Sequence, residues 1–118
     1  MSKRLISVIV PTRDRPDTLR QALASIRALE ADDITFEILV GDNGSDPESR
    51  KVASDFGAIH IPVSDKGAAA ARNAGLKAAT GEFLAFLDDD DIWLPSHVRR
   101  HLEILEANPE IEAVQLVI

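Results

Sequence analysis

The chain has 118 residues, 45% apolar and 28% charged, with 13 basic against 20 acidic side chains and a formal charge of −7. That suits one domain with one core and is too apolar for a disordered tail. An acidic chain without Lys/Arg clusters is a poor match for a nucleic-acid backbone, and the lack of cysteine excludes disulfides and thiolate metal sites.

The N-terminal "MSKRLISVIVPTRDR" has a basic start but only six mostly apolar residues before Pro11, too few for a signal-peptide core or a membrane span. A cytoplasmic location is expected, with membrane association of a longer protein left open. Residues 5–10, "LISVIV", predict a buried strand stopped by Pro11. Pro16 suits a helix first turn, after which Leu19, Leu23, Ile26 and Leu29 recur at helical spacing. "FEILV" (36–40) predicts a second strand ended by "GDNGSDP", and 47–56 a short, weak helix. "AIHIPV" (58–63) reads as a third strand, placed at an edge by Pro62. The alanine-rich "KGAAAARNAGLKAATG" predicts a helix over about 68–79 with Gly81 as its stop. "EFLAFL" (82–87) is a fourth strand. Pro95 or Ser96 opens a helix with Val98, Leu102 and Leu105 on one face. After Pro109, "IEAVQLVI" reads as a fifth strand, and an apolar run at the chain end suggests a longer parent protein.

Strands that are nearly continuous apolar runs and alternate with helices predict an α/β fold, a Rossmann-like three-layer sandwich with a mostly parallel sheet covered on both faces. Ligands of such sheets bind beyond the carboxyl ends of the strands. Those ends read "PTRDR", "GDNGSD", "SDKG" and "DDDD".

The last of these is Asp88, Asp89, Asp90 and Asp91. In an extended segment Asp88 and Asp90 point one way and Asp89 and Asp91 the other, so a D-x-D pair can hold a hard divalent cation such as Mg²⁺ or Mn²⁺ through oxygen. A solvated acidic loop is the plainer reading. The position directly after a strand favours metal. Asp42, ending strand two, could accept hydrogen bonds from a base or ribose, although "DNGSD" is also a turn signature. Thr12 offers a hydroxyl, and Asp14 a helix cap. Arg72 could reach a base or phosphate, but a lone helical Arg is more often simply exposed. His97 and His101 are spaced i, i+4 without a third zinc ligand, His60 reads as satisfied within the fold, and Trp93 as a packing anchor. No P-loop, dinucleotide fingerprint or nucleophile elbow is present.

Taken together, "ISVIVPTRDRPDTLRQALASI", "EILVGDNGSD" and "KGAAAARNAGLKAATGEFLAFLDDDDIWLP" resemble, in order, the inverting family 2 glycosyltransferases of GT-A fold. The resemblance spans nearly the whole chain and implies an N-terminal nucleotide-sugar-binding half. It implies that Pro11, Thr12, Asp14, Asp42, Arg72, Asp88 and Asp89 bind the nucleotide sugar, with Thr12 and Asp42 on the base and Asp88 near the ribose. It further implies that Asp90, with Asp88 and Asp91, holds Mg²⁺ or Mn²⁺ on the diphosphate. UDP is the default carrier, with dTDP and GDP open. Where the family usually has "VDDGS" this chain has "GDNGS", so Asn43 replaces the second acid. Family members need roughly twice this length, and the acceptor site and catalytic base fall in the remainder. The fragment alone is therefore expected to be inactive and prone to dimerise through an exposed sheet edge. The alternatives are a receiver-like phosphoacceptor domain or a purely structural α/β unit without catalysis.

Overall fold

The computed structural model describes residues 4–108. The elements run β1 (Arg4–Thr12), α1 (Pro16–Arg27), β2 (Ile34–Asp42), α2 (Pro47–Asp55), β3 (Ile59–Pro62), α3 (Ala68–Ala78), β4 (Phe83–Phe86) and α4 (Pro95–Ala107). The expected fifth strand lies outside the described residues.

All pairings between these strands are parallel, in the order β3-β2-β1-β4. β1 and β2 are in register from Arg4↔Ile34 to Thr12↔Asp42, so these two strand ends lie side by side. A receiver-like domain has the order 2-1-3-4-5, so the observed order removes that alternative. The chain steps outward from β1 through β2 to β3 and then returns to the other flank of β1. The strand order reverses at β1, and a crevice opens there beyond the strand ends.

One face of β1 and β2 supplies Ile6, Val8, Val10, Phe36, Ile38 and Val40 to a core completed by Leu19, Ala22, Leu23 and Ile26 of α1 and Val52 of α2. α3 covers the opposite face closely. A Cβ on Gly41 would stand 2.3 Å from the Ala71 carbonyl oxygen, so a side chain on β2 there would push the helix away. Gly81 does not act as the left-handed helix stop expected of it. Its space is taken by β1, and a Cβ would come within 2.6 Å of Ser7 Oγ.

Both central strands outrun the sequence estimate. Pro11 is inside β1 because Ile9 is the last residue paired with β4, so beyond it the missing N–H deprives no strand of a partner. β4 is shorter than expected and is not covered on both faces. Leu84 and Phe86 are 54% and 50% exposed, and among the described residues β4 is an edge strand. Trp93 packs as expected, its ring 5.9 Å from that of Phe36, and its backbone N–H donates to Ser25 Oγ at 3.0 Å. Among the described residues no helix is long and apolar enough to cross a membrane.

Candidate functional site

A cleft of about 390 Å³ lies at the strand ends. Its walls are Pro11, Thr12, Arg13 and Arg15 after β1, Asn43 after β2, Gly67 and Ala68 at the start of α3, and Asp88, Asp89 and Asp90 after β4.

The aspartate run does not continue the alternation of a strand. It turns, with the Asp91 N–H donating to the Asp88 carbonyl at 3.1 Å, and the turn carries Asp91 back beside Asp88 and Asp90. Carboxylate oxygens of these three lie within 4.8 Å of one another on the exposed side. Asp89 alone turns inward. It is 7% exposed and accepts a hydrogen bond from Thr12 Oγ1 at 2.8 Å, joining the end of β1 to the loop after β4. The strict D-x-D expectation of Asp89 and Asp91 sharing a side is thus corrected, and the turn is the physical reason.

Two guanidinium groups partly balance this charge. Arg15 Nη1 lies 3.6 Å from Asp89 Oδ1 and 3.5 Å from Asp90 Oδ2, and Arg72 Nη2 donates to Asp88 Oδ1 at 3.4 Å. Four carboxylates against two exposed arginines leave a surplus of negative charge. Three exposed carboxylates, all hard oxygen donors, fit a hard divalent cation with water or ligand oxygens completing its shell. α3 begins opposite them at Gly67, whose φ of +105° is accessible to glycine, with no side chain capping the first turn and no acidic residue in it. The free N–H groups of that turn make its end partially positive and receptive to an anion.

Asp42 and Asp14 sit beside the cleft rather than in its walls. Asp42 is 6% exposed. Its Oδ1 accepts the Gly44 N–H at 2.8 Å and its Oδ2 is 2.8 Å from His60 Nε2. Asp14 does not cap its own helix. It adopts φ +53°, and its Oδ1 accepts the backbone N–H groups of Ser45 and Asp46 at 2.8 and 2.9 Å, which holds its pKa below the ordinary value. It fastens the loop after β2 to the end of β1, while Asp46 caps α2 through Glu48 N–H at 2.9 Å.

Sequence reasoning singled out neither Arg15 nor the pairing of His60 with Asp42. The pairing follows from the strand register, in which His60 stands opposite Val40, two residues before Asp42 on the same face. Among the described residues no third metal-ligating side chain joins His97 and His101. His101 Nε2 is buried beside Trp93 and Leu102 with no partner among the described residues, and desolvation, with some contribution from His97, lowers its pKa.

A second cavity, about 560 Å³, lies at the opposite end of the strands among Arg4, Asp33, Glu82, Arg99, Glu103 and Glu106. Most of its charges are already matched. Arg4 bridges Glu82 and Glu106, and Arg99 binds Asp33 through both oxygens at 2.8 and 2.9 Å.

A parallel α/β sheet with an acidic cleft at its topological switch point places the chain in the doubly wound class. The chain belongs to glycosyl transferase family 2, whose family model matches residues 7–118. It is 33% identical over 112 residues to the UDP-Glc:alpha-D-GlcNAc-diphosphoundecaprenol beta-1,3-glucosyltransferase WfgD of Escherichia coli, covering 92% of this chain and 44% of that protein. It is 40% identical over 93 residues to the pre-mycofactocin glycosyltransferase of Mycobacterium tuberculosis, covering 75% and 18% of the two chains. Among solved structures, S. aureus TarS shares its fold with a TM-score of 0.77 at 23% identity, over 92% of this chain and 33% of TarS. Glucosyl-3-phosphoglycerate synthase from Mycobacterium tuberculosis, solved with Mn²⁺ and UDP, superposes with a TM-score of 0.69 at 25% identity, over 86% of this chain and 39% of that one. The fold is therefore that of the GT-A glycosyltransferases. The chain spans 44%, 37% and 33% of the lengths of three of the curated relatives it matches.

Proposed function

We propose that this chain is the nucleotide-diphospho-sugar-binding half of an inverting, metal-dependent glycosyltransferase, with UDP as the carrier and Mg²⁺ or Mn²⁺ as the ion. The observation that carries this reading is the exposed trio Asp88, Asp90 and Asp91 at the switch point, facing the uncapped N-terminus of α3. Carboxylates hold a cation and free N–H groups hold an anion, and a metal-bound diphosphate presents both charges. TarS has also been solved with UDP, and a Pyrobaculum calidifontis mannosyltransferase of the same fold with GDP-Man and Mn²⁺.

In this reading Asp90, Asp88 and Asp91 coordinate the ion, and Arg72, on the flank of Asp88, serves the base or pyrophosphate. Pro11, Thr12 and Asp42 face the base, with Asp14 and Asp89 bracing the loops that carry them. The bound ion supplies neutralisation of the charge that develops on the departing nucleoside diphosphate. The carboxylates around the cleft are committed, Asp89 to Thr12, Asp42 to Gly44 and His60, and Asp14 to the loop after β2. The base that deprotonates the acceptor hydroxyl therefore belongs to the remainder of the longer enzyme, and residues 1–118 alone bind without transferring. Self-association of the isolated chain through an exposed sheet edge goes with this reading.

Calorimetric titration with UDP, with and without Mn²⁺, on wild type and Asp90→Ala tests the proposal. Wild type should bind UDP in a metal-dependent way, and the variant should lose that binding with an unchanged melting temperature. Equal metal-dependent affinity in the variant would refute the metal assignment. Sugar transfer by residues 1–118 to any acceptor in a panel would refute the missing base.

A further inference from the structure

We infer that His60 is a positioning residue for nucleobase recognition, fixing the Asp42 carboxylate so that it accepts an N–H from the base and discriminates between pyrimidines. The inference rests on the proposed role of Asp42 at the base.

His60 lies on β3, an edge strand, yet its side chain is only 15% exposed because it lies against Asp42, with Nε2 at 2.8 Å from Oδ2. A carboxylate has no proton to offer, so this hydrogen bond requires a proton on Nε2. The other oxygen accepts the Gly44 N–H. One donor on each oxygen stops rotation of the carboxylate and uses about two of its roughly four acceptor positions. What remains is a fixed, acceptor-only carboxylate next in the chain to Asn43, which lines the cleft. Uracil presents a donor, N3–H, to such an edge. Cytosine presents a lone pair at N3, which an acceptor repels and leaves unpaired. A buried polar group left without its partner is the strongest source of selectivity a site can build. His60 touches no base in this arrangement and acts through Asp42.

The test compares UDP with CDP, in Mn²⁺, on wild type, Asp42→Asn, His60→Leu and His60→Gln. Wild type should prefer UDP by at least about tenfold, as expected when one hydrogen bond to a charged group is at stake. His60→Leu should weaken UDP about tenfold and bring the UDP/CDP ratio toward one. Mn²⁺ alone should bind as in wild type, and His60→Gln, which keeps a donor, should recover most of the preference. If wild type shows no preference, or Asp42→Asn leaves it intact, the placement of the base at Asp42 fails. If Asp42→Asn abolishes the preference while His60→Leu keeps it, only the role of His60 fails. A measurement that needs no variant is the imidazole ¹⁵N spectrum of wild type. It should show a protonated Nε2 whose resonance shifts on adding UDP with Mg²⁺ but not on adding Mg²⁺ alone. A spectrum indifferent to UDP would overturn the inference.

Discussion

The bond between Thr12 and Asp89 is the strut of the cleft, and replacing Thr12 with valine removes it with little change of shape. Thr12 is 4% exposed and Asp89 7%, and their contact is a 2.8 Å hydrogen bond from a hydroxyl to a carboxylate. A hydrogen bond to a charged group contributes about 1.5–3 kcal/mol net. The exposed Arg15, 3.6 Å away, offers little compensation across solvent. Thr12→Val should therefore cost about 1.5–3 kcal/mol, a fall in melting temperature of roughly 6–12 °C at about 4 °C per kcal/mol for a domain of this size. Thr12→Ser keeps the hydroxyl and loses one buried methyl, about 0.8 kcal/mol. The assay is thermal and urea unfolding of both variants, alone and combined with Asp89→Ala. Thr12→Val should cost much less once Asp89 is gone, with a coupling of at least about 1 kcal/mol. A valine variant as stable as wild type, or equal costs in the two backgrounds, would refute the strut.

Gly41→Ala should destabilise by about 1–3 kcal/mol, because its Cβ meets a backbone carbonyl that cannot step aside, and calorimetric unfolding measures it. Gly67→Ala, with nothing within 4 Å but φ +105°, should show only backbone strain of about 1–3 kcal/mol and leave α3 seated. Asp33 has its pKa lowered from 3.8 to about 2, chiefly by hydrogen bonding to Arg99. A depressed folded value means its stabilising contribution is complete above pH 3.8 and disappears as pH falls toward 2. In Arg99→Ala, NMR titration should find Asp33 back near 3.8, and the loss of stability across that acid window should shrink.

Much of this architecture is legible in the sequence, since continuous apolar runs alternating with amphipathic helices admit few arrangements other than a parallel sheet. The Asp46-Pro47 cap and start of α2 could be read directly from turn and cap chemistry. What escaped depends on long-range geometry. Pro11 looks like a strand end, and only the early end of β4 shows why it is tolerated inside β1. Leu84 and Phe86 look buried by composition, but their exposure depends on which element packs over that face of β4. The inward turn of Asp89, away from its three acidic neighbours, depends on Thr12, 77 positions earlier in the chain. Local alternation carried no information about that bond.

Paramagnetic broadening decides whether a divalent cation and a nucleoside diphosphate meet at the end of β4. Mn²⁺ should be titrated into the ¹⁵N-labelled chain in the presence of UDP. Amide signals of Asp88–Asp91, Thr12, Gly67 and Ala68 should be lost selectively, with those of Asp33, Glu82 and Arg99 at the other end of the sheet unaffected. Broadening centred on Asp33 and Glu103, or none that depends on UDP, would contradict that placement.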